Sequence, residues 1–191
     1  MTSILKADTI QDTDGNNIIN ENSNTITIGA SGDTTNIVGT LQNNGAAVGG
    51  TNTPAFRVYR SSSAQTISSG SNVKIQFNSE TYDTDNAFDS STNYRFTPQT
   101  SGKYFIHFQY GHNSGTAHTE ISLKIFKNGS AIAIKTNNHA GGTKMYEVSS
   151  TVSLNGSSDY IEAYVYHNYG SDRSSDYGSE NVYLEGFKLI E

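Results

Sequence analysis

The sequence predicts an all-β protein: a jelly-roll or Greek-key β-sandwich of about eight to ten strands, carried on an extended, β-rich N-terminal stalk. Three observations predict it. All twenty aromatic residues, eight Phe and twelve Tyr, follow Pro54. Aromatic side chains are the largest single contributors to a core, so the two parts of the chain must bury surface differently. After Pro54 apolar and polar residues alternate at period two, the strand signature, and no stretch repeats at helical period. Ser, Thr, Asn and Gly abound while only 16% of residues are charged, the composition of short strands joined by polar turns.

Residues 1–43 form the stalk in this reading. Asp14-Gly15-Asn16-Asn17 precedes Ile18-Ile19, Asn22-Ser23-Asn24 precedes Ile26-Thr27-Ile28, and Gly29-Ala30-Ser31-Gly32-Asp33 precedes Ile37-Val38. Aliphatic pairs therefore recur every 8–11 residues or roughly so, between turn formers. One copy cannot bury so few aliphatic residues, whereas three copies wound on a common axis can. An Asn-rich flexible linker would share this composition; the alternating Ile26-Thr27-Ile28 favours the stalk. Residues 44–54, rich in Gly, Ala, Asn and Thr, read as a hinge.

Residues 55–191 form the head. Phe56 and Val58 alternate in a first strand, and Val73–Phe77 is a second with clean period two. Tyr94-Arg95-Phe96 follows a Ser/Asp/Asn loop. Residues 102–110 place Tyr104, Ile106, Phe108 and Tyr110 on one face, and Ile121, Leu123 and Ile125 make the next inward row. Lys127-Asn128-Gly129-Ser130 is a hairpin, because a type I′ turn needs positive φ at both central residues. Residues 131–136, 144–154, 159–167 and 180–190 complete the strands.

Charge and residue inventory exclude several functions. Net charge is −6, with one Lys against five acids in residues 1–54. No basic stripe exists to neutralise phosphates, so nucleic acid is not an expected partner. Cysteine is absent, which removes disulfides, thiolate metal sites and a thiol nucleophile. No apolar run approaches the roughly 20 residues that cross a bilayer, and residues 1–20 lack the pattern of a signal peptide. No nucleophile elbow or phosphate-binding loop appears; only a carboxylate pair distant in sequence is left open. The expectation is a non-enzymatic protein without cofactor.

Five pieces in order carry a resemblance. Phe96-Thr97-Pro98-Gln99-Thr100-Ser101-Gly102-Lys103-Tyr104-Phe105-Ile106 resembles the central signature of the complement q-subcomponent globular head, one of the tumour-necrosis-factor-like jelly rolls. Ala55-Phe56-Arg57-Val58 resembles that family's first strand, and Val73–Phe77 its second. Leu123–Gly129 resembles its strand ending in a Lys-Asn-Gly turn, and Val182–Leu189 its closing strand. The resemblance implies a homotrimer. The chain departs from the family at Leu154-Asn155-Gly156-Ser157-Ser158-Asp159, where residues are added between Gly and Asp, and in lacking a collagen stalk. Separately, Ser3–Asp12 and Ile28–Thr34 resemble the starts of marine bacteriophage structural proteins. Together these imply a virion fibre or spike on a tail or head, whose head contacts a host surface glycan or protein and whose N-terminus docks to other virion proteins. The alternatives are a capsid decoration or cement protein without receptor binding, and a secreted lectin-like adhesin.

Candidate residues follow. Tyr160, Tyr164 and Tyr166 project from one face of a strand, opposite Ile161, Ala163 and Val165; with Tyr104 and Phe108 they are the trimer-interface candidates, a sugar-stacking platform being the alternative for the tyrosine face. Residues 166–180 are rich in Tyr, Ser, Gly and Asp, the composition of an adaptable binding loop, and Tyr169, Asp172, Arg173 and Tyr177 are its candidates. Ile4, Leu5, Ile10, Ile18 and Ile19 are candidates for virion anchoring. The five histidines lack metal-ligand spacing; His112 and His118, read as loop residues, are the ones a three-fold axis could gather. Asp83, Asp85 and Asp89 offer oxygen ligands suited to calcium, but without the closing Glu of an EF-hand they read as a polar loop. No metal is expected.

Overall fold

The structure, a computed structural model, describes residues 38–39, 41–43, 46–47 and 52–190. The chain divides into two compact units, Met1–Gly49 and Gly50–Glu191. In the first, β1 (Gln42–Asn43) and β2 (Ala46–Ala47) pair antiparallel. The anchoring candidates Ile4, Leu5, Ile10, Ile18 and Ile19 lie outside the described residues.

Among the described residues the second unit has no helix and folds as two sheets. The seven-stranded sheet is built from β3 (Ala55–Tyr59), β4 (Thr66–Ile67), β6 (Ser79–Asp83), β9 (Gly102–Ser114), β12 (Gly142–Leu154), β14 (Arg173–Ser175) and β15 (Val182–Lys188). The six-stranded sheet is built from β5 (Val73–Lys74), β7 (Phe88–Asp89), β8 (Arg95–Phe96), β10 (His118–Lys127), β11 (Ser130–His139) and β13 (Ile161–His167). Strand β9 is the spine of the larger sheet. It pairs with β15 and β14 on one side and with β12 along its whole length on the other. The smaller sheet runs β11-β10-β13-β8-β7, with β5 also on β13. This is the jelly-roll sandwich the alternation predicts.

Period two sorts the side chains. Tyr104, Ile106, Phe108 and Tyr110 are wholly buried, as are Ile121, Leu123 and Ile125, and Ile161, Ala163 and Val165. The rings interlock: Phe56 stacks on Phe96 with centroids 4.0 Å apart, and Phe77 meets Phe108 edge-on at 6.0 Å. Such contacts add about 0.5–1.5 kcal/mol each beyond burial. Tyr104 keeps its hydroxyl satisfied by donating to the Thr100 carbonyl at 2.6 Å. Tyr104 and Phe108 are therefore consumed by the subunit's own core and present no surface to a second copy, which corrects their reading as interface residues.

The hairpin between β10 and β11 has the predicted turn, with Asn128 at φ 51° and Gly129 at φ 79°. Gly186 in β15 is glycine for a different reason. A Cβ there would stand 2.7 Å from the Phe105 carbonyl oxygen and 2.9 Å from the Phe56 ring.

Two of the strands that are shorter than their patterns predict show what ends them. Ladder pairing of 73–77 ends at Lys74, although Ile75 and Phe77 are buried as expected. Beyond it the Ile75 N–H still donates to the Ala163 carbonyl of β13 at 2.9 Å, and the Gln65 carboxamide bonds the other edge: its Nε2 donates to the Lys74 carbonyl at 2.8 Å and its Oε1 accepts from the Gln76 N–H at 2.9 Å. Strand β13 begins at Ile161, because Asp159 is held by Lys127 and Asn128 and the Tyr160 N–H donates to the Asn128 side chain.

Candidate functional site

The segment after β13 is not the free loop its composition predicts. Strand β14 lies inside it and pairs with both β9 and β4. The pinning brings three of the four binding candidates together. The Arg173 guanidinium carbon sits 3.4 Å from the Tyr169 ring centroid, and its Nη1 donates to the Asp172 carbonyl at 3.2 Å. Arg173 Nε is buried without a hydrogen-bond partner among the described residues. Tyr177, 48% exposed, stands in the next turn, where the Asp176 carboxylate accepts its N–H and the Asn181 amide donates to its carbonyl. The cluster is a stacked cation–π pair next to the short strand β14.

Tyr160, Tyr164 and Tyr166 do share the outward side of the smaller sheet, and each is half-buried by its own subunit. Arg95 lies 4.4 Å over the Tyr160 ring, Lys124 5.2 Å from Tyr166, and Phe126 4.4 Å from Tyr164. Between them Glu162 is 6% exposed. Its carboxylate accepts from Lys74 Nζ at 2.9 Å and from the Tyr164 hydroxyl at 3.2 Å. Burial, then the neighbouring Glu162 carboxylate, pushes the Tyr164 phenol up to about 12. Cross-strand neighbours thus cover much of this face.

Two other surfaces are less well covered, and sequence reasoning missed both. On the outer side of the larger sheet, Tyr59, Phe105, Tyr183 and Phe187 are half-buried. Phe105 and Phe187 lie opposite in register with centroids 5.5 Å apart. Tyr183 carries Arg57 at 3.7 Å over its ring, and Arg57 pairs with Glu185. The signal was available: Phe105 in β9 and Tyr183 and Phe187 in β15 fall at the outward positions of the alternation. The second surface is the sandwich edge formed by β11 and β12, where Ile132, Ile134 and Met145 are 38%, 58% and 46% exposed. Ile132, Ile134 and Val148 line a groove of about 590 Å³ there.

The histidine reading needs correction. His112 lies in strand β9, wholly buried, and His118 opens β10, so neither is a loop residue. His112 instead meets His139 and His167, with ring centroids 4.8 and 5.6 Å away. His139 Nδ1 is 2.9 Å from the Tyr146 hydroxyl, and His167 Nε2 donates to the Ile67 carbonyl at 2.9 Å. This is an internal polar cluster between the sheets, and burying it demands such partners. Among the described residues no group of three or more His, Cys, Asp or Glu is arranged to hold a metal ion. Asp83 and Asp89 spend their carboxylates on their own turns: Asp83 accepts from the Phe88 N–H, and Asp89 from those of Ser91, Thr92 and Asn93.

No family model matches the sequence. The uncharacterized protein YqcC of Bacillus subtilis is 33% identical over 110 residues, which cover 53% of this chain and 29% of that protein. The chain thus spans less than a third of that relative's length. Among solved structures, Eiger TNF from S. frugiperda superposes with a TM-score of 0.54 at 12% identity, covering 72% of this chain and 92% of that one. Murine APRIL at pH 5.0 superposes with a TM-score of 0.55 at 7% identity, covering 71% and 98%. At such identities the likeness is one of fold, and the fold of the head is a tumour-necrosis-factor-like jelly roll.

Proposed function

We propose that the chain is the subunit of a homotrimeric fibre or spike of a bacteriophage particle. In this reading residues 1–43 dock to other virion proteins, and the jelly-roll head contacts the host cell surface. The observation that carries self-association is the presence of two unlike apolar surfaces on one subunit: the Ile132, Ile134 and Met145 edge and the aromatic face of the larger sheet. A patch that meets its own copy across a two-fold axis must be self-complementary. An edge that meets a different face is heterologous, and such contacts close into rings or grow into filaments. A ring of three accords with the tumour-necrosis-factor-like head. Three copies on one axis also give the stalk the partners its few aliphatic residues need.

The virion placement rests on the resemblance of Ser3–Asp12 and Ile28–Thr34 to phage structural proteins. The mechanism is binding without turnover: three sites on a rigid head raise avidity without new contacts. The stacked Tyr169 and Arg173 beside Asp172 offer a preorganised tip, which lowers the entropic cost of contact. The anchoring of that tip by β14 also favours a second reading, a capsid decoration or cement protein that needs no adaptable loop.

One experiment separates them. Labelled full-length protein, shown by light scattering to be trimeric, is added to intact host cells. Saturable binding that blocks phage adsorption supports the receptor-binding head. A trimer that is found in purified particles yet neither binds cells nor blocks adsorption supports decoration.

A further inference from the structure

The β7–β8 hairpin and the residues after it wall an open groove of about 630 Å³, far in sequence from the Tyr169–Tyr177 segment. Its lining is mostly hydrogen-bonding and includes Asn86, Ser90, Asn93, Arg95, Gln99 and Ser157. Three apolar residues reach it: Ala87 and Phe88, 8% and 7% exposed and part of the core, and the buried Pro98. We propose that this groove binds an acidic saccharide, with Arg95 holding the sugar carboxylate.

Arg95 carries the argument. Its guanidinium carbon lies over the Tyr160 ring, 4.4 Å from the centroid, which holds it in place. Across the β7–β8 ladder Asp89 stands directly opposite and is the obvious partner. Asp89 is taken instead by its own turn. Its carboxylate accepts the N–H groups of Ser91, Thr92 and Asn93 at 2.9–3.0 Å, with the Ser91 hydroxyl and the Asn93 amide added. The nearby Lys74 ammonium is likewise committed, to Glu162 and the Asn93 carbonyl. Among the described residues Arg95 has no ion pair and no side-chain hydrogen bond. A stacked guanidinium with unspent donors is shaped for a planar oxyanion taken two-pronged.

The rest of the lining selects the class of ligand. Amides and hydroxyls supply donors and acceptors side by side, which suits neighbouring sugar hydroxyls. No apolar hollow is present to take a peptide side chain. The chain's net charge of −6 gives no general attraction for anions, and Asp89 adds a local negative charge. Affinity must therefore come from the fit of a carboxylate to Arg95, not from a diffuse field. The biological sense of such a ligand rests on the proposed surface-contact role. The binding itself does not, because it is measured on the purified protein without phage or host.

The test is calorimetric titration of the full-length protein with tetragalacturonate, against maltotetraose as the neutral match and tetraglutamate as the acidic peptide. Saturable binding of the uronate alone is expected. Arg95→Gln should weaken it about tenfold or more, and Arg95→Lys, which keeps the charge but loses the fork, should fall between. Gln99→Trp, at an exposed position, fills the groove and abolishes binding while leaving the unfolding temperature unchanged. It keeps the test informative if Arg95→Gln fails to fold. Absence of wild-type binding, or undiminished binding by either Arg95→Gln or Gln99→Trp, overturns the site. Equal binding of maltotetraose overturns the role of the carboxylate, and equal binding of tetraglutamate overturns the saccharide in favour of an acidic peptide.

Discussion

Asp89 shows how much one side chain organises this fold. Hydrogen bonds from the Thr92 and Ser91 N–H groups, reinforced by Asn93, hold its carboxyl well below the ordinary carboxylate range. A carboxyl whose folded value is depressed contributes stability that is present above its unfolded value. That stability is lost as pH falls through the folded value. Asp89→Asn, which keeps one acceptor and loses the charge, should therefore lower the urea midpoint at about pH 7. The gap to wild type should narrow below roughly pH 4, where the unfolded carboxyl takes up its proton. Urea titrations across that range check it, and a gap independent of pH would show that the charge plays no part. Nothing in the sequence separates Asp89 from Asp83 or Asp85. Which carboxylate caps a turn depends on backbone N–H groups converging on it, and that requires the turn already folded.

At the scale of elements, the long strands were legible and the short ones were not. β9, β10, β13 and β15 bury one face each, so alternation marks them. β4, β7, β8 and β14 run two or three residues, too short for any period to show. Side chains often fix where such pieces lie. Gln65 is the clearest case: its carboxamide bonds the backbone of Lys74 and Gln76, and its own N–H donates to Ser175 Oγ at 2.8 Å. One residue thereby ties the β5 segment of one sheet to the β14 segment of the other. Gln65→Ala should leave the half-buried Lys74 carbonyl and the exposed Gln76 N–H short of partners, at about 0.5–1.5 kcal/mol, because neither is buried beyond the reach of water. Hydrogen exchange should show faster exchange at Gln76, with the β9–β12 ladder unchanged. Protection at Gln76 equal to wild type would mean water replaces the amide without loss.

For the whole molecule, the question is where a second copy attaches. Sequence reasoning chose tyrosines and found one outward face, but it had no means of telling which faces the subunit covers for itself. Lys124, Arg95 and Phe126 come from distant positions to cover Tyr166, Tyr160 and Tyr164, whereas among the described residues Ile134 stays 58% exposed. Substituting an exposed residue alters the subunit's own stability little, so Ile134 gives a clean test of association. Light scattering of the wild type should return three times the chain mass of 20.6 kDa. Ile134→Glu should shift the protein towards monomer while far-UV dichroism stays that of the native sheets, because a charge desolvated in an apolar contact is costly. Phe187→Glu, on the face proposed to receive that edge, should do the same. If both variants remain trimeric, the copies meet elsewhere, and the tyrosine face of β13 becomes the next surface to probe. If only the Ile134 variant dissociates, the edge contacts a surface other than the aromatic sheet, and the ring must be closed through a different pair of faces.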